Sequence, residues 1–294
     1  MERNMQEQKI AILVDSGSDI PAPLREQYHI YQVPLTLIFS NATYKDDAIT
    51  SEQLYTMMEQ EIPTTSLPTG EEITDMLRRI SGDGYEKVLA ISISSHLSGT
   101  CNMLRLNQDS CPGLEMEVVD SRNISIGSGM LALLAARLLE QGIKWTELKT
   151  RMALEIQNSK VFFYLRTLEY LRRGGRIGHV SALLGSALRI KPIITCDEEG
   201  VYITEAKVVG HSLALRRLSE CAERFAAGAQ DIYVSVMHGA AAADAAQVKE
   251  RLLTKLPQAK ILVEGQIVPS MAVHTGPGLV GIGVLRWSAA QTEF

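Results

Sequence analysis

The chain has 294 residues, 46% of them hydrophobic and 21% charged, with a formal net charge of −5, enough for two lobes or one large α/β domain with a substantial core. The acidic balance argues against nucleic acid as a partner, because such binding rests on Lys and Arg neutralising phosphates. No apolar run reaches the ~18 residues that span a bilayer; the best, Met130 to Leu139, is broken by Arg137.

The N-terminal MERNMQEQK lacks the apolar core of a signal peptide. Lys9 to Val14 is a buried strand that runs into the polar turn Asp15-Ser16-Gly17-Ser18-Asp19, followed by a short helix through Tyr28. Asp19 suits an N-cap before Ile20-Pro21, and Asp15 and Ser16 are expected to border a ligand crevice. Ile30 to Phe39 reads as one strand that tolerates Pro34 at an edge or irregularity. Thr50 to Glu61 is an amphipathic helix with Leu54, Met57 and Met58 inward. Pro63 to Gly70 brackets three hydroxyls between two prolines and reads as irregular. It leads, with Thr69 as cap, into a helix from Glu71 to Ile80.

Val88 to Ile93 is short, apolar and β-branched, as a buried parallel strand is. The hydroxyl-rich turn Ser94 to Thr100 follows it, and then a helix from Thr100 to Leu106. Ligands of open α/β sheets bind outside the carboxyl ends of strands, where free N–H groups at a helix start favour an anion. Ser98 is placed at that N-cap, where it either caps the helix or also faces a ligand. Met116 to Val119 is a third strand, Ile126 to Gln141 a helix apolar all round and therefore buried, and Thr146 to Asn158 an amphipathic helix. This alternation predicts a doubly wound, mostly parallel sheet.

The pattern changes near residue 160. Val161 to Leu165 is a strand, and Arg172, Arg173 and Arg176 surround the pair Gly174-Gly175, which permits a sharp reversal. They form either solvated surface or a docking patch. Ser181 to Leu188 reads as a short helix, and Ile190 to Thr195 with Val201 to Val208 as a hairpin. Then come a helix over Ser212 to Ala227, a strand over Asp231 to Val236, a helix over Ala241 to Leu253 and a strand over Lys260 to Val263. Val268 to Val273 and Leu279 to Leu285 read as strands on either side of His274-Thr275-Gly276-Pro277-Gly278.

Ser with His invites a hydrolase reading, yet the G-x-S-x-G elbow is absent. No spacing marks a metal site, and no dinucleotide or phosphate-loop motif is present. Cys101, Cys111, Cys196 and Cys221 have no CxxC spacing, which predicts neither zinc nor disulfides and fits a reducing cytoplasm.

Several of these pieces, in order and spacing, resemble the DegV family of fatty-acid-binding proteins from about Lys9 to Arg286. They are Asp15 to Asp19, Thr65-Ser66-Leu67-Pro68-Thr69, Ser94 to Thr100, Val119-Asp120-Ser121, Tyr170 to Ile177, Lys191-Pro192, His238-Gly239 and His274 to Gly278. The resemblance implies a domain over 9–286, with α/β lobes over about 9–160 and 161–294, the first sheet mostly parallel and the second mixed. It implies a long-chain fatty acid such as palmitate, stearate or oleate between the lobes, its carboxylate held by Thr65, Ser98 and His274, and no cofactor or metal. It further implies a non-enzymatic carrier that offers the acid to a separate fatty acid kinase subunit for phospholipid synthesis, with transient membrane contact and with Arg172, Arg173 and Arg176 as a docking patch. A sixteen-carbon tail has roughly fourteen methylenes at ~0.8 kcal/mol each, so its burial supplies about 11 kcal/mol gross. Met57, Met58, Met103 and the helix from Ile126 either line its tunnel or are ordinary core, the more common role of such residues.

The chain departs from the family at Leu67, where Gln is usual, at Cys101-Asn102-Met103 in place of Tyr-Gln-Ser, and at Val209-Gly210, where Arg and Ser or Thr are typical. Two rivals stand beside the carrier: a serine-dependent acyl hydrolase using Ser98 and His274, and a lipid-sensing regulator without a kinase partner.

Overall fold

The computed structural model describes residues 9–183 and 190–287. Its first half contributes β1 (Ile10–Asp15), β2 (Ile30–Val33), β3 (Thr36–Ile38), β4 (Thr43–Lys45), β5 (Thr64–Ser66), β6 (Lys87–Ser92) and β7 (Glu115–Asp120). Four of them form an all-parallel sheet in the order β2-β1-β6-β7. Every residue of β1 is buried, which is why that strand reads as an unbroken apolar run: helices cover both faces of a parallel sheet.

The predicted strand over Ile30 to Phe39 is two strands in two sheets. Pro34 has no N–H to give, so β2 stops at Val33, and the chain resumes as β3 in a small antiparallel sheet of order β4-β3-β5. Within Pro63 to Gly70, predicted as irregular, lies β5. The prolines flank this edge strand, and Thr64, Thr65 and Ser66 pair with Ile38, Leu37 and Thr36. Thr50 and Thr69 cap the helices Ser51–Met58 and Gly70–Gly82, each through a capping box completed by Gln53 or Glu72. Asp19 does not cap the next helix. Pro21 holds that position, while Asp19 adopts a left-handed conformation and turns inward. Gly99 is the N-cap of helix Thr100–Leu106, so Ser98 stands one residue before the expected place.

The second half forms a six-stranded mixed sheet. Its strands are β8 (Ser159–Tyr164), β9 (Ile190–Cys196), β10 (Tyr202–Val209), β11 (Asp231–Gly239), β12 (Lys260–Gln266) and β13 (Leu279–Trp287), in the order β10-β9-β8-β13-β11-β12. All neighbours are antiparallel except β11 and β12. Of the helix expected over Ser181 to Leu188, the part through Leu183 belongs to a 3₁₀ stretch, Gly178–Leu183; residues 184–188 lie outside the described residues. Val268 to Val273, expected to be extended, lies mostly in the helix Pro269–Thr275. Pro269 fits the first helical turn, where its missing N–H costs nothing, and Gly276 ends the helix at φ 66°. His274 therefore sits on a last helical turn rather than between two strands.

The helix Ile126–Glu140 is buried except at Arg137 and Glu140. It packs on β1 and β6 from one side and on β8 and β13 from the other, so one core of both lobes is continuous through it. A second core lies on the other face of the mixed sheet, under the helices His211–Ala226 and Ala242–Lys255.

Candidate functional site

Three distant segments meet where the lobes face each other. Thr65 comes from β5, Ser98 from the turn after β6, and His274 from the helix Pro269–Thr275. All three line one cavity of about 160 Å³, together with Leu67, Arg176 and Tyr202. Thr65 Oγ1 and His274 Nε2 are hydrogen-bonded at 2.8 Å. His274 Nδ1 is buried and has no partner among the described residues. A buried N–H without an acceptor is rarer than an unpaired lone pair, so the ring proton belongs on Nε2 and is donated to Thr65. That leaves the Thr65 hydroxyl proton free to point at a ligand. Burial, and then the Arg176 charge, push His274 down to about 4, so the ring is neutral near pH 7. Ser98 Oγ lies 2.9 Å from Thr100 Oγ1 and accepts from the Thr100 N–H at 3.3 Å.

The Arg-Gly-Gly-Arg segment splits into two parts. Arg172 and Arg173 both bind Glu169 on the surface and hold its carboxyl down to about 2. Arg176 instead borders the cavity and donates to the carbonyls of Leu97 at 3.3 Å and Gly174 at 2.7 Å. Gly174 is where the ring of His274 presses on the chain: a Cβ there would stand 2.1 Å from Nδ1.

Inward from the polar end the cavity narrows to an apolar chamber of about 30 Å³. Ile124, Tyr202, Met271 and Thr275 line both parts, so the two adjoin across a shared wall. Phe163, Met237, Leu279 and Gly281 line the inner part. Of the expected tunnel residues, Ile126 is present in its wall, whereas Met57, Met58 and Met103 pack into the cores instead. The methionines that line it are Met237 and Met271.

Neither Asp15 nor Ser16 lines this cavity, contrary to expectation. They support it from behind. Asp15 accepts the Ile93 N–H at 3.0 Å, fixing the chain just before the Ser98 turn, and Ser16 Oγ accepts the Leu35 N–H at 2.9 Å. Asp19 accepts the N–H of Val268 at 2.6 Å and is bonded by the Ser125 hydroxyl. Asp46 accepts both the N–H and the hydroxyl of Ser270, at 2.7 and 2.6 Å. Two carboxylates of the first lobe thus grip the first turn of the helix that carries His274. Burial pushes Asp15 and Asp19 up to about 7 and raises Asp46 as well.

Of the departures noted in the sequence, Leu67 reaches the cavity wall. Cys101 is fully buried and its thiol is raised by desolvation. Val209 is exposed, and Gly210 precedes its helix at φ 91°.

Two α/β lobes closing on a cavity that is polar at one end and apolar at the other define a ligand-binding protein of the two-lobed kind. The family described as "Uncharacterised protein, DegV family" matches residues 9–286, and the chain belongs to the DegV family. A DegV domain-containing protein of Clostridium acetobutylicum is 35% identical over 281 residues, covering 95% of this chain and 99% of its own. A fatty-acid-binding DegV family protein from Thermus thermophilus superposes with a TM-score of 0.89 at 29% identity, over 95% of this chain and 99% of that one. DegV of Bacillus subtilis, a fatty acid binding protein, gives 0.86 at 26% identity, over 95% and 99%. A stearic-acid-binding protein from Eubacterium ventriosum gives 0.86 at 25% identity, over 94% and 98%. No helix among the described residues is long and apolar enough to cross a membrane.

Proposed function

We propose that this protein is a carrier of a long-chain fatty acid. The acid lies between lobes of about 9–160 and 161–294, with its carboxylate at Thr65, Ser98 and His274 and its tail in the apolar chamber. The observation that carries this reading is that the cavity lined by Thr65, Ser98 and His274 adjoins a mostly apolar chamber, with Ile124, Tyr202, Met271 and Thr275 common to both. A buried carboxylate requires hydrogen bonds; the free Thr65 proton, the Ser98 hydroxyl and the Arg176 guanidinium at the rim offer them. Met237 and Met271, unbranched and adaptable, are the walls that move aside for the tail. The fatty-acid-binding relatives support the same ligand class for this chain.

The protein is not itself an enzyme in this reading. Ser98 is bonded to Thr100 and His274 to Thr65, so nucleophile and base are not paired as acyl transfer requires. The carrier works in the cytoplasm, in transient contact with membranes, and presents the carboxylate to a separate fatty acid kinase subunit for acyl-phosphate formation. Arg172 and Arg173, exposed beside the rim, are surface on which that subunit docks. Mass spectrometry of freshly purified protein under native and denaturing conditions tests the reading. It predicts a long-chain acid that is released only on denaturation; an empty protein that also refuses oleate and palmitate refutes it.

A further inference from the structure

The floor of the inner chamber is a row of three residues side by side on neighbouring strands: Phe163 on β8, Gly281 on β13 and Met237 on β11. A glycine inside a strand marks an unusual backbone, a bulge, or a place that something approaches closely. Gly281 is not among the described glycines with positive φ. The register of β13 runs past it without a shift on both sides. Nor do its neighbours require it: a Cβ at this position would meet Phe163 Cβ at 3.6 Å, the Phe162 carbonyl at 3.7 Å and Leu279 Cδ2 at 4.0 Å, all ordinary contacts.

Gly283, two residues on and facing the same way, is the informative contrast. A Cβ there would lie 2.9 Å from Ile126 Cγ2 and 3.0 Å from Met130 Sδ, so the buried helix occupies its place. At Gly281 what occupies the place is the chamber itself.

We propose that Gly281 sets the depth of the chamber and hence the longest unbranched acyl chain the protein accepts, an inference that rests on the fatty-acid reading above. A methyl group at 281 takes part of the floor, and a valine, with its Cβ and two methyls, takes more of the chamber. The head-group contacts lie at the other end of the cavity and are untouched by either change.

The test measures affinities of the straight-chain acids decanoate, laurate, myristate, palmitate and stearate by competition with a fluorescent fatty acid. It uses delipidated full-length protein and its Gly281→Ala and Gly281→Val variants. The expected result is that the preference for stearate over laurate falls roughly tenfold or more in Gly281→Val and by less in Gly281→Ala, the scale on which apolar pockets discriminate added bulk. Laurate and decanoate bind all three alike. A preference for stearate that is unchanged in both variants, or a loss that is equal at every chain length, overturns the assignment. Should Gly281→Val fail to fold by circular dichroism, Gly281→Ala carries the test alone, and an unchanged ratio in it is decisive against. If the unaltered protein binds none of the acids, the carrier reading fails first and the inference falls with it, an outcome distinct from a variant that matches it.

Discussion

The two ends of the cavity are built on different plans. The outer end is assembled from β5, the turn after β6, the Arg-Gly-Gly loop and one helix, segments more than two hundred positions apart in the case of Thr65 and His274. It carries the polar side chains Thr65, Ser98, Arg176 and His274, positioned by individual hydrogen bonds. The inner end is the face of a continuous sheet, with Phe163, Gly281 and Met237 in register, and it shares its side chains with the core. In the carrier reading proposed above, orientation falls to loops and one short helix, and capacity to the sheet face that also forms the core. Bulky side chains removed at the inner end should therefore cost stability, and changes at the outer end should cost binding.

The largest expected effect is at the inner end. Phe163→Ala, at a residue 4% exposed on a central strand, should lower the free energy of unfolding by about 3–5 kcal/mol, read from urea titrations. A loss under about 1 kcal/mol would mean that the sheet face is not part of the core in the sense argued. At the outer end, Thr65→Ala and Ser98→Ala should each weaken fatty-acid binding by ~1.5–3 kcal/mol, the worth of a hydrogen bond to a charged group, while the urea midpoint barely moves. Unchanged affinity in both variants would remove the head-group assignment. Smaller again is Gly174→Ala. Its Cβ, 2.1 Å from His274 Nδ1, should dislodge the ring and weaken binding by about 1 kcal/mol, as much as His274→Ala does; normal affinity would show that the ring position is immaterial.

The pH dependence of stability supplies a last contrast. Asp15 and Asp19 are raised to about 7, so they bind protons in the folded state that the unfolded chain has already released. Their contribution is fully present below the ordinary carboxylate range and is lost as pH rises through about 7. His274, lowered to about 4, works the other way: its contribution is present above the ordinary imidazole value and is lost as pH falls toward about 4. Asp15→Asn removes part of the first trend only. Stability measured by denaturant at pH 5 and pH 7.5 should then rise more, or fall less, with pH than in the unaltered protein. An identical slope would show that Asp15 titrates as an ordinary carboxylate.

The outer end was the more legible in the sequence. Hydroxyls, histidine and glycine gathered in loops stand out because loops are otherwise free to vary, and Thr65, Ser98 and His274 do line one cavity. The parallel and mixed sheets were legible too, since buried parallel strands are unbroken apolar runs and hairpins announce their turns. The inner end was not legible. Phe163, Met237 and Met271 have the sequence appearance of any core residue, and only packing separates them from Met57 and Met58. The helix Pro269–Thr275 was misread because its first residues, buried and apolar, resemble a strand. That Arg176 borders the cavity while Arg172 and Arg173 bind Glu169 was not legible, because it depends on contacts between distant parts of the chain.

The helix that bears His274 belongs to the second lobe by connection, yet its first turn is latched by Asp19 and Asp46 of the first. Ser51 adds a further tie, from its hydroxyl to the carbonyl of Ile267. The ring at the polar cavity is therefore positioned from both lobes at once, by chain connection from the second and by hydrogen bonds from the first.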